Sequence, residues 1–152
     1  MKVRGSAKPV LHVAEPSPAF LGRPPIVVDC SVLSAVLFEE VTRAEAASIL
    51  TGRAMHAPVL LDSEMVSVAG KKKRAGVPEP AIQIALAEYQ QQDIEFHRPE
   101  VLVQYGLALA YSISTYDAAY LWVAGLLRAP LATFDEKLAK AARAYLAKLG
   151  SP

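Results

Sequence analysis

Cysteine is the scarcest chemically reactive residue in this chain, since Cys30 is the only one among 152 residues. A single thiol excludes an internal disulfide and a cysteine-rich zinc site, and it fits a reducing cytosol. Charge is nearly balanced, with 16 lysines and arginines against 15 aspartates and glutamates, so any contact with nucleic acid must come from a local patch. No apolar run reaches the length of a membrane span, and no secretory signal is recognisable. These absences predict a soluble, cytoplasmic protein.

Proline is concentrated at the N-terminus, at positions 9, 16, 18, 24 and 25. Because proline is unfavourable in helices and in central strands, we expect residues 1–25 to form a leader that is flexible or docks on a partner. Residues 26–150 are long enough for one domain with its own core. Their many alanines and leucines favour helices.

Short apolar runs alternate with helical patterns through this domain. The first run, Ile26-Val27-Val28, is β-branched and suits a strand that is buried on both faces. Such alternation predicts an α/β fold in which a short, mainly parallel sheet is sandwiched between helices. Strands are expected at residues 26–28, 56–59, 94–96 and 130–134, and helices at residues 31–40, 42–50, 60–74, 80–92, 100–113, 116–128 and 136–149.

The helix predicted at residues 100–113 is strongly apolar. Its large side chains recur at helical spacing, which predicts that they face the core. The next helix is expected to turn Tyr120 inward. The apolar residues predicted to be buried in the first of these helices are Val101, Leu102, Tyr105, Leu109 and Ile113.

Four carboxylates stand in apolar surroundings instead of on a charged face. Asp29 and Asp135 directly follow apolar strands, Asp117 lies in the first turn of an apolar helix, and Glu64 lies in the first half of another helix. Each has an ordinary explanation. Asp29 and Asp135 could cap helices, Asp117 could complement a helix dipole, each contributing about 0.5–1 kcal/mol, and Glu64 could point to solvent.

The same acids have a joint explanation as a metal site. The carboxyl ends of parallel strands meet at one edge of a sheet, which would place Asp29 and Asp135 on one side of the molecule. Clustered carboxylates repel each other, and a hard divalent cation relieves that repulsion. Mg²⁺ and Mn²⁺ prefer oxygen ligands, and a hydrated ion in an acidic pocket can support phosphodiester hydrolysis.

Four stretches of the sequence resemble, in order and spacing, the four motifs of PIN-domain ribonucleases. The first motif is similar to Ile26-Val27-Val28-Asp29-Cys30-Ser31, and the second to Pro58-Val59-Leu60-Leu61-Asp62-Ser63-Glu64. The third is similar to Thr115-Tyr116-Asp117-Ala118-Ala119-Tyr120, and the fourth to Leu131-Ala132-Thr133-Phe134-Asp135-Glu136-Lys137-Leu138. The resemblance covers residues 26–149, and within the family it is closest to the VapC-type toxins of toxin–antitoxin pairs.

This resemblance implies an endoribonuclease that depends on Mg²⁺ or Mn²⁺. It assigns Asp29 and Asp117 as the principal metal ligands, with Glu64 and Asp135 completing the pocket, partly through water. It also implies a homodimer and a small antitoxin protein that covers or enters the pocket. Residues that would orient the carboxylates or waters are Ser31, Thr115 and Thr133.

Two departures from the family pattern bear on the site. Asp62 adds an acid two residues before Glu64 and could compete with it as the ligand. Cys30 stands where alanine or threonine is expected, directly beside Asp29. No histidine lies near Cys30 in the sequence to activate its thiol, so we expect a small buried thiol.

The sequence gives weaker evidence that the remaining cations and histidines have a function. A run of four cations, Lys71, Lys72, Lys73 and Arg74, either contacts RNA phosphates or is a solvated helix end. Lys137 is expected on the outer face of the last helix. The histidines, which are His12, His56 and His97, lie far apart with no metal-ligand spacing, so no histidine metal site is predicted.

Two other functions remain open from the sequence. One is a PIN fold that has lost catalysis and serves as a scaffold or binding module. The other is a phosphoacceptor receiver module, which also gathers acids at the carboxyl edge of a parallel sheet. A receiver usually has an acidic pair at the end of its first strand, whereas here Cys30 and Ser31 follow Asp29.

Overall fold

The parallel sheet is built from four short strands, and β1 (Pro25–Val28) lies inside it. The computed structural model describes residues 22–150. Its strands have the order β3-β2-β1-β4 and every neighbouring pair is parallel. The other elements are α1 (Cys30–Leu37), α2 (Arg43–Leu50), β2 (Ala54–Pro58), α3 (Leu61–Arg74), α4 (Glu79–Gln90), β3 (Ile94–His97), α5 (Val101–Tyr111), α6 (Thr115–Leu127), β4 (Leu131–Ala132) and α7 (Glu136–Leu149).

The core forms around β1, as its run of β-branched residues predicts. Val27 and Val28 are completely buried, because neighbouring strands flank β1 and helices cover the sheet. Helix α6 packs across β1, β2 and β4. Its residue Tyr120 is completely buried. The prediction of a parallel sheet between layers of helices is therefore confirmed.

The prediction for the face of α5 is wrong. Ile113, just beyond the helix, is buried, but Val101, Leu102, Tyr105 and Leu109 are exposed, and Leu102 retains 80% of its accessible surface. Helix α5 packs mainly on α6, and it uses another face for that contact. An apolar period predicts an amphipathic helix, but it does not say whether the covering surface lies in the same chain.

Two histidines that are isolated in the sequence come together in the fold. Parallel pairing of β2 and β3 places His56 beside Glu95 and Pro58 beside His97. The Nδ1 atom of His56 and the Nε2 atom of His97 are 3.0 Å apart. Forty-one residues separate the two in sequence, so only the strand register brings them into contact.

The ends of the chain are described only in part. Most of the predicted leader, including His12, lies outside residues 22–150, so the expected boundary at residue 26 stays a prediction. Strand β1 begins one residue before that boundary, at Pro25. Within the described part of the chain, no helix is both long and apolar enough to cross a membrane.

Candidate active site

Asp29 lies at the carboxyl end of β1, and its carboxylate is held by two hydroxyl groups. Ser31 Oγ donates to Asp29 Oδ2 at 2.6 Å, and Thr133 Oγ1 donates to the same oxygen at 2.8 Å. Asp29 occupies the cap position of α1, yet its side chain makes no capping hydrogen bond. Capping therefore does not explain this residue. Both of the described side-chain hydrogen bonds of Asp29 go to Oδ2, and none goes to Oδ1.

The hydroxyl groups around Asp29 also connect β1 to the turn after β4. The backbone N–H of Phe134 donates to Ser31 Oγ at 3.0 Å, and the N–H of Asp135 donates to Thr133 Oγ1 at 2.9 Å. These bonds use the hydroxyls as both donors and acceptors, so their orientation is fixed. The predicted role of Ser31 and Thr133, orienting a carboxylate, is compatible with this geometry.

Asp135 is exposed and does cap its helix. Its Oδ1 accepts the N–H of Leu138 at 3.0 Å, the ordinary contact of an N-cap aspartate. Its charge nevertheless acts on the site, because it contributes to a raised pKa at Asp117. The capping explanation therefore applies to Asp135, and its predicted place in a metal site stays a prediction.

Glu64 does not point freely into solvent. It is half-buried on α3, and the phenol of Tyr120 on α6 donates a hydrogen bond to its Oε2. Burial raises the pKa of Glu64 above its ordinary value, and the charges of Asp29 and Asp117 raise it further, while the Tyr120 hydrogen bond opposes them. The sequence predicts Tyr120 in the core but gives no sign of this contact, since a phenol that bonds a distant acid leaves no local pattern.

Asp117 lies in the first turn of α6, as predicted, but Ser114 is the capping residue. Ser114 Oγ accepts the N–H of Asp117 at 3.0 Å. Burial is the main cause that raises the pKa of Asp117; Ser114 lowers it, and the charges of Asp135 and Asp29 raise it. Thr115 is exposed, and its carbonyl oxygen accepts a hydrogen bond from Gln104, so an orienting role for its hydroxyl stays a prediction.

The four acids thus form one electrostatic neighbourhood, which we call the acid pocket: Asp29, Glu64, Asp117 and Asp135. The charge of Asp29 acts on both Glu64 and Asp117, and that of Asp135 acts on Asp117. The pocket is open. Among the described residues, the one group of three or more ligating side chains with atoms all within 4.8 Å of each other lies elsewhere, on β2 and β3. An ion in the acid pocket would therefore keep part of its water shell, as Mg²⁺ does.

Asp62 is engaged outside the acid pocket. Tyr89 on α4 donates a hydrogen bond to its Oδ1 at 2.7 Å, and the charges that act on Glu64 come from Asp29 and Asp117. This geometry favours Glu64 over Asp62 as the acid that α3 contributes. It also makes Asp62 a suitable control for substitutions of the pocket acids.

Cys30 is a buried thiol, as expected from the sequence. It retains 7% of its accessible surface, and its Sγ lies 3.5 Å from the Sδ atom of Met65. Burial, together with the charges of Glu64 and Asp29, raises the pKa of this thiol to about 12. A thiol that stays protonated is a poor nucleophile, so cysteine chemistry does not compete with the carboxylates here.

The cations near the pocket differ in how they are engaged. Lys72 forms an ion pair with Glu40 at 2.8 Å, and Lys73 forms one with Glu79 at 3.1 Å. The charge of Lys71 acts on Cys30, which follows Asp29 in the sequence. Lys137 lowers the pKa of Asp117 through its charge, although the sequence predicts only a solvent-facing side chain. No sequence signal marks this role, because the position of Lys137 on α7 follows the solvated stripe.

A cleft of about 490 Å³ adjoins the acid pocket on the side of α3. It is lined by Glu64 together with Leu60, Ser63, Ser67 and Tyr116. Tyr116 is 67% exposed, so it contributes an aromatic surface beside the carboxylates. Of the four acids, the one that lines this cleft is Glu64.

Comparison with known proteins agrees with this arrangement. Residues 26–144 match the PIN domain family. Ribonuclease VapC3 of Mycobacterium tuberculosis, in two strains, is 33% identical over 118 residues, which are 76% of this chain and 86% of that protein. The crystal structure of PAE2754 from Pyrobaculum aerophilum superposes with a TM-score of 0.62 and 19% identity, covering 87% of this chain and 94% of that one. The chain therefore belongs to the PIN-domain family and is a VapC-type member of it.

Proposed function

We propose that this protein is an endoribonuclease that depends on Mg²⁺ or Mn²⁺ and acts as the toxin of a toxin–antitoxin pair. The observation that carries the proposal is the state of Asp29. Two hydroxyl groups hold its Oδ2, and no hydrogen bond described for the side chain engages Oδ1, which would be the ligand atom. A carboxylate that only capped a helix would not need this support.

The residues of the acid pocket fit a hard divalent cation. All of the donors are carboxylate oxygens, the ligands that Mg²⁺ and Mn²⁺ prefer. The raised pKa values of Glu64 and Asp117 reflect burial and uncompensated negative charge, which a cation would relieve. Asp29 and Asp117 would hold the ion, with Glu64 and Asp135 acting partly through water. When bound, the ion would supply Lewis acidity toward a phosphate oxygen and make a water more acidic.

The side chains of this protein would position the RNA and the carboxylates. Ser31 and Thr133 keep Asp29 in one orientation, and Tyr120 does the same for Glu64. Lys137 and Lys71 supply positive charge at the margin of the pocket, where phosphates of an RNA strand would approach. The similarity to Ribonuclease VapC3 supports RNA as the substrate.

Two protein partners complete the proposal. The exposed apolar face of α5, with Leu102 and Leu109 among its residues, is suited to pair with the same face of a second copy in a homodimer. A small antitoxin protein would cover or enter the acid pocket. Both partners are implied by the VapC resemblance, and the apolar face of α5 supports the homodimer directly.

Substitution of the pocket acids tests the enzymatic proposal. Asp29→Asn and Asp117→Asn should abolish Mg²⁺-dependent cleavage of an RNA substrate, because each removes a ligand charge at nearly constant volume. Asp62→Asn is the matched control, since it removes a carboxylate from the same region but outside the pocket, and it should retain activity. If Asp117→Asn cleaves RNA as the wild type does, the assignment of the site is wrong.

Metal binding and toxicity separate the enzyme from the inactive scaffold. Mg²⁺ at one hundred times its Kd should stabilise the wild type by about 2.7 kcal/mol, whereas a scaffold would be unaffected. Expression with and without the neighbouring reading frame, scored by growth and RNA integrity, tests the toxin role. The family match sets the receiver alternative aside, since a receiver is a different fold.

A further inference from the structure

A second cluster of potential metal ligands lies on β2 and β3. In a strand, residues two apart point to the same face, so Glu95 and His97 share a face, and the strand register places His56 directly beside Glu95. His56 Nδ1 lies 3.0 Å from His97 Nε2 and 3.7 Å from Glu95 Oε2, and His97 Nε2 lies 3.8 Å from Glu95 Oε1. One ligand atom from each residue can therefore face a common point.

The surroundings of the cluster suit metal capture. The side chains of His56 and His97 are 11% and 13% exposed, whereas that of Glu95 is 69% exposed. The imidazoles are thus anchored in the protein while the carboxylate reaches solvent, from which an ion would enter.

We propose that His56, Glu95 and His97 form a second metal site for a transition ion, with Zn²⁺ the first candidate. Two imidazole nitrogens and one carboxylate oxygen suit Zn²⁺, Co²⁺ or Ni²⁺ better than Mg²⁺. Zn–N bonds of about 2.0–2.1 Å in a tetrahedral arrangement place two ligating nitrogens about 3.3 Å apart. The two nitrogens at 3.0 Å need to separate by only a few tenths of an ångström.

Binding requires a change of tautomer but no net loss of a proton. In the metal-free protein one of the two facing nitrogens carries the hydrogen of the His56–His97 bond. Metal ligation needs a lone pair on both of the facing nitrogens. The hydrogen-bonding proton therefore moves to the other nitrogen of the ring that carried it, and two metal–nitrogen bonds replace the hydrogen bond. Water would fill the remaining coordination position, since three side chains form the cluster.

This site is separate from the acid pocket. Strand β3 is at one edge of the sheet and β4 is at the other, with β2 and β1 between them. The charges that shift the pKa of His56 come from Glu95 and His97, not from the pocket acids. An ion held here would tie the outer strand β3 to β2, so its expected effect is on the stability of that sheet edge.

Zn²⁺ titration of untagged, metal-stripped protein tests the proposal. The background is the Asp29→Asn/Asp117→Asn variant, which disables the acid pocket. Calorimetry should find one equivalent of Zn²⁺ bound, and Co²⁺ should give the visible absorption bands of a four-coordinate ion with nitrogen ligands. His97→Gln and Glu95→Gln should each weaken Zn²⁺ binding at least 10-fold, while Glu88→Gln, an exposed control on α4, should leave it unchanged.

Two results would overturn the proposal. One is unchanged Zn²⁺ affinity in His97→Gln, which would place the ion elsewhere. The other is loss of all Zn²⁺ binding in the Asp29→Asn/Asp117→Asn background, which would assign the ion to the acid pocket. Circular dichroism melts of each metal-free variant confirm that it is folded before titration. His97 and Glu95 are chosen because they are less buried than His56, so their replacement is less disruptive.

Discussion

Asp29 and Asp135 occupy the same kind of position, the residue just before a helix, and use it differently. Asp135 gives an oxygen to the N–H of Leu138, whereas Asp29 makes no cap and accepts two hydroxyl groups instead. A helix that begins without its cap gives up about 1 kcal/mol. That cost at α1 is consistent with a carboxylate reserved for a ligand, in line with the tendency of functional sites to break local rules.

Removal of one supporting hydroxyl tests this interpretation. Thr133→Val deletes the donor to Asp29 Oδ2 and the acceptor of the Asp135 N–H. RNA cleavage should fall by about 10–100-fold, the usual effect of losing a group that orients a ligand. Thr51→Val is the matched control, because Thr51 donates only to the carbonyl of Ala47 at the end of α2. Equal activity of the two variants would refute an orienting role for Thr133.

The raised pKa of Glu64 predicts how stability depends on pH in the absence of metal. A carboxyl group whose pKa is higher in the folded state than in the unfolded state binds more protons when folded, so stability falls as pH rises through the carboxyl range. Glu64→Gln has no such loss, and its amide oxygen can still accept from Tyr120. The variant should therefore melt above the wild type at neutral pH in EDTA.

The difference should close at acidic pH, below the ordinary pKa of a glutamate, where Glu64 is protonated in both states. Melting temperatures measured across this range in EDTA provide the test. Glu88→Gln should track the wild type throughout, since Glu88 is exposed on α4. A variant that melts below the wild type at neutral pH would contradict the burial of an uncompensated charge at Glu64.

At the scale of elements, the end of α3 is less available to RNA than its sequence suggests. Lys72 and Lys73 each form an ion pair with a glutamate from another segment of the chain. An ammonium group in an ion pair binds phosphate more weakly than an unpaired one. Of the four cations, the ones without such a described pair are Lys71 and Arg74. The run Lys71–Arg74 is thus partly a structural connection and partly a candidate contact surface.

Substitutions along this run should separate the two roles. In the Asp117→Asn background, Lys71→Gln and Arg74→Gln should weaken RNA binding more than Lys73→Gln does. Removal of a cation that binds one phosphate should reduce the dependence of log K on log salt by about 0.7 for single strands. Fluorescence anisotropy at several salt concentrations measures both quantities. Equal effects of the three substitutions would mean that the ion pair of Lys73 does not matter.

At the scale of the whole molecule, the exposed apolar face of α5 departs from an ordinary monomer surface within residues 22–150. Leu102→Glu or Leu109→Glu places a charge in the proposed homodimer contact, so the protein should become monomeric in sedimentation while its melting remains cooperative. Ile84→Glu on α4 is the matched control, since Ile84 is also an exposed apolar residue. A wild type that is monomeric at all concentrations would contradict the proposed homodimer.

Much of the fold can be predicted because its signals are local. The run Ile26-Val27-Val28 identifies the central strand, and helical periodicity identifies the helices. The features that the sequence does not predict depend on the register between neighbouring strands and on contacts between segments that are distant in sequence. The His56–His97 contact needs the β2–β3 alignment, and the exposure of Leu102 needs the knowledge that α5 packs on α6 through another face.

Only part of the acid pocket can be predicted from the sequence, and that part follows from the local signals that identify the strands. Parallel strands bring their carboxyl ends to one edge, so the sequence alone is enough to place Asp29 and Asp135 together. The sequence does not predict three other features of the site: the hydrogen bond from Tyr120 to Glu64, the cap formed by Ser114, and the effect of the Lys137 charge on Asp117. Each of these depends on how α6 and α7 are rotated against the sheet, and apolar spacing fixes that rotation only coarsely.

The pairing of β1 with β4 has a consequence for synthesis of the chain on the ribosome. Asp29 and its partner Thr133 are 104 residues apart, so the first strand is made long before the turn that completes its surroundings. Closing so long a loop is a late event in folding. If Asp29 belongs to the active site as proposed, a nascent chain that has not yet released β4 would hold an isolated aspartate without the hydroxyl of Thr133, and it would not yet cleave RNA.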